Sequence, residues 1–151
     1  MCTNAAAWPR ISGTWAVTLT PLNYDDGALT SHWRIRPLCE VGSCDLDVLV
    51  RETGKHRHFR LLTNGTYRWR SGESAQPWGD CYSKGGQGSE VVAKNVYFVS
   101  RQITLRVVRL EGPVPVRLTG LARLRATATG RGRAKGCASD ANYERVNAIK
   151  R

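Results

Sequence analysis

The sequence predicts an all-β domain, an antiparallel up-and-down barrel of about eight strands with a short C-terminal helix or tail; a β-sandwich is the alternative. Three observations carry this. From Val114 to Ala128 the chain alternates without a slip, with Val114, Val116, Leu118, Gly120, Ala122, Leu124, Ala126 and Ala128 on one face and Arg117, Arg123 and Arg125 on the other. A period of two is that of a half-buried strand. Shorter runs of the same kind recur along the chain between turn residues, and nowhere do helices alternate with strands as a parallel sheet requires. Closure into a barrel is favoured over a sandwich because it removes sheet edges.

Taken in order, residues 1–10 read as an N-terminal tether. Residues 11–20 form a first strand with Trp15, Val17 and Leu19 on one face, and an Asp26-Gly27 turn follows. In residues 30–37 Trp33 and Ile35 oppose His32, Arg34 and Arg36. In residues 44–52 Leu46, Val48 and Val50 oppose Asp45, Asp47 and Arg51. Thr53-Gly54 is a turn, and residues 55–63 carry Phe59 and Leu61. Asn64-Gly65 is the dipeptide favoured by a two-residue type I′ hairpin, since both residues tolerate positive φ. Residues 66–70 set Tyr67 and Trp69 against Arg68 and Arg70. Residues 71–88, rich in glycine and serine, read as a long loop holding Trp78 and Cys81, and such loops are often functional.

Residues 90–101, 103–110 and 114–129 complete the strands, the last being long enough to bend or bulge at Gly120. Residues 129–136 read as a flexible basic linker. Residues 139–149 read as a short helix capped by Ser139 or Asp140, with Tyr143, Val146 and Ile149 as its contact stripe. The barrel domain therefore occupies residues 11–129. Residues 130–151 are a basic linker and a C-terminal segment.

Five cysteines bear on the compartment. Cys39 and Cys44 flank a short turn between two strand-like runs, a spacing that lets facing strand ends be stapled. Cys81 and Cys137 then pin the tail to the barrel, which leaves Cys2 over. Other pairings remain open, because spacing alone does not choose among them. Zinc is disfavoured, since no close second Cys or His pair accompanies Cys39 and Cys44. Disulfides point to an oxidising compartment and an exported protein. The first seven residues lack the basic and apolar regions of a signal peptide, so an exported chain has had its signal removed. Cys2 is a candidate lipid-acceptor cysteine, with Met1 added for expression, or an incidental thiol.

The net charge is +11, and 18 of the 23 cations are arginine. Such a surface suits an anionic polymer, a glycan or a membrane surface, or else serves solubility alone. The rows Arg34/Arg36, Arg68/Arg70 and Arg117/Arg123/Arg125 form one broad cationic face if their strands are neighbours. Guanidinium forks match phosphate, sulfate and carboxylate groups. Nucleic acid is disfavoured as a partner by the disulfides and by the lack of an RNP or helix-turn-helix pattern.

Gly13-Thr14-Trp15, near the start of the first strand, resembles the Gly-x-Trp signature of the lipocalin and wider calycin group. The resemblance implies an eight-stranded barrel that binds small apolar ligands. It also implies an arginine near the last strand, Arg123 or Arg125, packed over the tryptophan. The long helix that follows a lipocalin barrel is at best abbreviated here. The chain is similar, too, to small exported bacterial domains that carry a tryptophan, then a pair spaced like Cys39 and Cys44, then a C-terminal cysteine. Some of those are lipoproteins and some are extracellular sensor modules.

Catalytic signals are sparse. His56 and His58 share one strand face and can ligate a metal or exchange protons, but need a third ligand, for which His32 is the one other histidine. Asp45 and Asp47 are spaced as a glycosidase pair can be, but share the presumed solvent face with Arg51. Gly85-Gly86-Gln87-Gly88 lacks the Lys-Ser/Thr of a phosphate loop, and there is no nucleophile elbow. The reading that results is a non-catalytic, cofactor-free, exported binding domain. It contacts an anionic cell-envelope component or a small amphiphile through Arg34, Arg36, Arg68, Arg70, Arg117, Arg123, Arg125 and Trp78. The alternatives are a sensor or protein-interaction module, and a small hydrolase.

Overall fold

The computed structural model describes residues 8–82 and 90–151. Cys2 and the Gly85–Gly88 run lie outside the described residues. The strands are β1 (Gly13–Pro21), β2 (Leu29–Pro37), β3 (Leu46–Val50), β4 (Lys55–Leu61), β5 (Tyr67–Arg70), β6 (Cys81–Tyr82), β7 (Val91–Ala93), β8 (Tyr97–Glu111), β9 (Val114–Ala128) and β10 (Asp140–Lys150), with one short helix, α1 (Gly130–Ala134), before β10. Eight of them close a barrel in the order β1-β10-β9-β8-β5-β4-β3-β2, and β6 and β7 make a separate two-stranded sheet. This is the general shape of a lipocalin barrel. None of the described helices is long and apolar enough to cross a membrane.

By contacts the chain forms two compact units: residues 1–69, 103–122 and 143–151 in the first, residues 70–102 and 123–142 in the second. In the first unit the alternating apolar residues turn inward. Trp15, Trp33, Phe59 and Tyr67 are its largest fully buried side chains, joined by Leu46, Val48, Leu105, Leu118 and Val146. The register explains how they meet: Trp15 lies opposite Trp33, and Leu46 opposite Phe59. The Trp33 and Phe59 rings sit 6.0 Å apart at 45°, inside the range in which tilted aromatic pairs attract. Trp15 Nε1 donates to the Ser12 carbonyl (3.0 Å) and Trp33 Nε1 to Ser31 Oγ (3.1 Å), so both indoles are buried with their donors satisfied.

The second unit has a small core of Cys81, Ala93, Val96, Ala128 and Cys137. The Cys81–Cys137 disulfide runs through it, and Cys39–Cys44 forms the other bridge, in the first unit. Thr129 caps α1 by accepting from the Gly132 N–H. A Cβ on Gly132 would stand 2.9 Å from that of Val96, so only glycine lets this turn pack so tightly. In the first unit Gly120 has the sharper constraint: an added Cβ would fall 1.7 Å from the Thr104 carbonyl oxygen. At Gly120 the β8 backbone therefore leaves no room for a side chain on β9.

Four expectations need correction. Residues 140–150 are a strand. Val146 and Ala148, two apart, are both fully buried, and seven residue pairs join β10 to β1; Ile149, assigned to a helical stripe, is 52% exposed. Closing the barrel needs this strand, and that demand outweighs a short helix's weak local preference. The basic stretch read as a linker holds α1, because Thr129 supplies a cap. The segments 90–101 and 103–110 are not two barrel strands; β7 ends at Ala93, and β8 runs unbroken from Tyr97. The count of eight is met by β10 instead. Finally, Asn64-Gly65 is not a two-residue hairpin. Leu62 O accepts from the Gly65 N–H and Leu62 N–H donates to Thr66 O, with only Gly65 at positive φ (79°). That is a type I turn closed by a left-handed glycine, the common three-residue loop.

Candidate functional site

The outer face of β2–β5 brings together arginines, histidines and carboxylates from neighbouring strands. On these strands the residues that alternate with the core point away from it. Pairing sets Arg34 beside Leu49 and His56, and Arg36 beside Asp47 and His58. One step on, Arg60 lies directly opposite Arg68. The face is therefore a grid, with arginines on β2, β4 and β5 and two carboxylates near its centre.

Each carboxylate is already engaged. Asp45 accepts from the Leu61 N–H (2.9 Å) and lies 2.7 Å from His58 Nε2. Burial alone would raise its pKa. The His58 hydrogen bond, the Leu61 N–H and the charges of His58 and Arg60 outweigh that and lower it. Asp47 takes His56 Nδ1 at 3.0 Å on both oxygens and has Arg36 Nη2 at 3.8 Å. Glu52, in the turn just past the end of β3, holds His32 and Ser31. It receives the His32 N–H (2.6 Å) and Ser31 Oγ–H (3.0 Å) and meets His32 Nδ1 at 2.8 Å. Burial would raise Glu52, yet these bonds and its own backbone N–H bring it down to about 2.

Chemically this is a salt-bridged surface. Asp45 and Asp47 each belong to a histidine rather than to Arg51, and His32 belongs to Glu52. Among the described residues no three His, Cys, Asp or Glu side chains come together as a metal cage would need. The grid presents both guanidinium and imidazole to solvent: Arg34, Arg36 and Arg60 are exposed, Arg68 is half-buried, and the His56 and His58 side chains are exposed.

The predicted arginine rows are only partly united. Arg34, Arg36 and Arg68 share the β2–β5 face. Arg117 projects from β9, which stands four strands from β3 in the barrel order, and its Nε donates to Asn147 Oδ1 (2.9 Å) on β10. Arg70, Arg123, Arg125 and Trp78 belong to the second unit, where Trp78 is 51% exposed and bonded through its backbone to Tyr97.

Some residues were missed. Arg60 continues the His56, His58 alternation, and period two was its signal. Arg57 sits in register with Phe59 and Leu61 and stacks over the Trp69 ring at 4.5 Å; an arginine on an apolar face was the cue. Arg10 was invisible in sequence. Its two terminal nitrogens donate to the carbonyls of Cys39 (2.8 Å) and Gly42 (3.1 Å), clamping the loop of the first disulfide.

No protein-family model matches the chain, and no curated protein or solved structure is significantly similar to it.

Proposed function

We propose that this is a non-catalytic, exported binding domain that takes an anionic polymer on the outer face of β2–β5. The observation that carries the reading is the Arg60–Arg68 pair, directly opposite across two strands. Like charges in such a pair are destabilising, and Arg34 and Arg36 extend the same sign across the face. A bound row of sulfate, phosphate or carboxylate groups would relieve that repulsion, and guanidinium forks fit those groups two bonds at a time. Two disulfides support an oxidising compartment, hence a cell-envelope or extracellular polymer. The small-amphiphile reading is weaker. An eight-stranded barrel is only wide enough to be filled by side chains or to hold one small ligand, and two tryptophans, a phenylalanine and a tyrosine occupy this one.

Retention on immobilised heparin, a sulfated polysaccharide, tests the reading. The wild-type chain should bind and elute at a salt concentration well above that of ordinary ion exchange. The triple variant Arg34→Glu, Arg60→Glu, Arg68→Glu should bind on the order of tenfold more weakly and show a shallower salt dependence. A triple variant that elutes with the wild type would discard this face as the site.

A further inference from the structure

A second surface of the first unit is built differently. β8 is fifteen residues long, and its barrel neighbours are β5 and β9. β5 has only four residues, Tyr67–Arg70. On the β5 side, the strand is therefore replaced beyond its end by the Asn64–Thr66 turn and by Trp8. Between these and Arg106–Leu110 of β8 lies an open cleft of about 460 Å³. The Trp8 ring forms one wall and lies flat on Gly65, where an added Cβ would meet it at 2.6 Å. Trp8, Val108 and Leu110 each keep more than 40% of their surface exposed. Tyr67 lines the cleft as well. It is 1% exposed, and its hydroxyl is the one buried side-chain polar group without a hydrogen-bond partner among the described residues.

We infer that this cleft receives an extended acidic segment of another protein, added as a strand along Arg106–Leu110 of β8. A strand beyond its neighbour's end offers alternate N–H and C=O groups to one side, which is the template used in strand addition. The exposed Trp8, Val108 and Leu110 provide apolar contacts for alternate side chains of the incoming segment. Charge selects its chemistry: Arg106 and Arg109 line the cleft. A second copy of the chain is disfavoured as occupant, because each copy carries a net +11 and would bring the same two arginines to the seam. This surface shares no residue with the Arg34–Arg68 face, so either proposal can fail alone.

The test uses the full chain, isotope-labelled, titrated with a short blocked peptide of alternating glutamate and valine. Binding should shift and protect the backbone amides of Val107–Leu110 and shift the Trp8 indole. It should weaken on the order of tenfold in Arg106→Glu, Arg109→Glu. A peptide of the same sequence, N-methylated at every residue, keeps the side chains and loses all its backbone donors; it should not bind. Val108→Pro removes a strand donor and should abolish binding while the circular dichroism of the barrel is retained. Equal binding of the methylated peptide overturns strand addition. Shifts centred on Arg34, Arg60 and Arg68 overturn the choice of surface. Protection of Val107–Leu110 that appears without peptide and grows with protein concentration overturns the choice of partner in favour of a second copy.

Discussion

The two compact units reach order by different means. The first encloses Trp15, Trp33, Phe59 and Tyr67, none more than 1% exposed. The second encloses one large aliphatic side chain, Val96, among two alanines and a disulfide. Apolar burial stabilises in proportion to area, so the first unit is held chiefly by its core. The second depends on a covalent link, a cap on α1 and a tightly packed Gly132. The sharpest way to break this comparison is Trp15→Ala. Emptying a fully buried tryptophan site should lower the unfolding free energy by about 3–5 kcal/mol, read from urea titration. A loss below about 1 kcal/mol would mean that the barrel interior is not what holds the first unit.

The disulfides probe the other half. Cys81 and Cys137 are 56 residues apart in sequence, Cys39 and Cys44 only 5. Chain-entropy reasoning then assigns about 4 kcal/mol to the long closure and about 2 kcal/mol to the short one. Cys81→Ser with Cys137→Ser should strip amide-exchange protection from Val96 and Ala128 while sparing β2, β3 and β4. Cys39→Ser with Cys44→Ser should cost about half as much, because Arg10 still grips the Cys39 and Gly42 carbonyls. If Val96 and Ala128 stay protected without their disulfide, the second unit does not depend on it and the contrast fails.

The same contrast governs what could be read from sequence. Strands with a dense apolar face announced themselves: Trp33/Ile35, Leu46/Val48/Val50 and Leu118/Ala122 all turn inward as their spacing demands. The segment Asp140–Lys150 did not. Only Val146 and Ala148 mark its inner face, and alanine is a good helix former, so three residues at helical spacing looked as persuasive. What settles it is the partner: β1 needs a second neighbour to close the barrel, a demand made some 120 residues away and absent from any local window. The charged grid was half legible for the same reason. Alternation put Arg34, Arg36 and Arg68 outside, but only the strand order decides that β2 and β5 flank one face while Arg117 stands across the barrel. The cleft at Trp8 left no local signal, since it arises from the unequal lengths of β5 and β8.

The smallest predicted effect separates the two units by acid. Tyr24, Asp45, Glu52 and Tyr67, whose titrations are displaced, lie in the first unit. Glu52 is held down to about 2, against an ordinary 4.5. A depressed carboxylate contributes stability that is present above its unfolded value and lost as pH falls through its folded one. The Glu52 contribution is therefore complete above about pH 4.5 and fades toward pH 2. It is worth no more than about 1 kcal/mol, because Glu52 and His32 are 40% and 49% exposed and solvent screens them. Glu52→Gln cannot titrate. The stability difference between the wild type and this variant should thus shrink across that window, and the start of β2 and end of β3 should lose amide protection first. Protection at Val96 and Ala128 should not change over the same range, because the core around them is closed by the Cys81–Cys137 disulfide, which does not titrate. If the second unit loosens first on acidification, its order rests on charge after all.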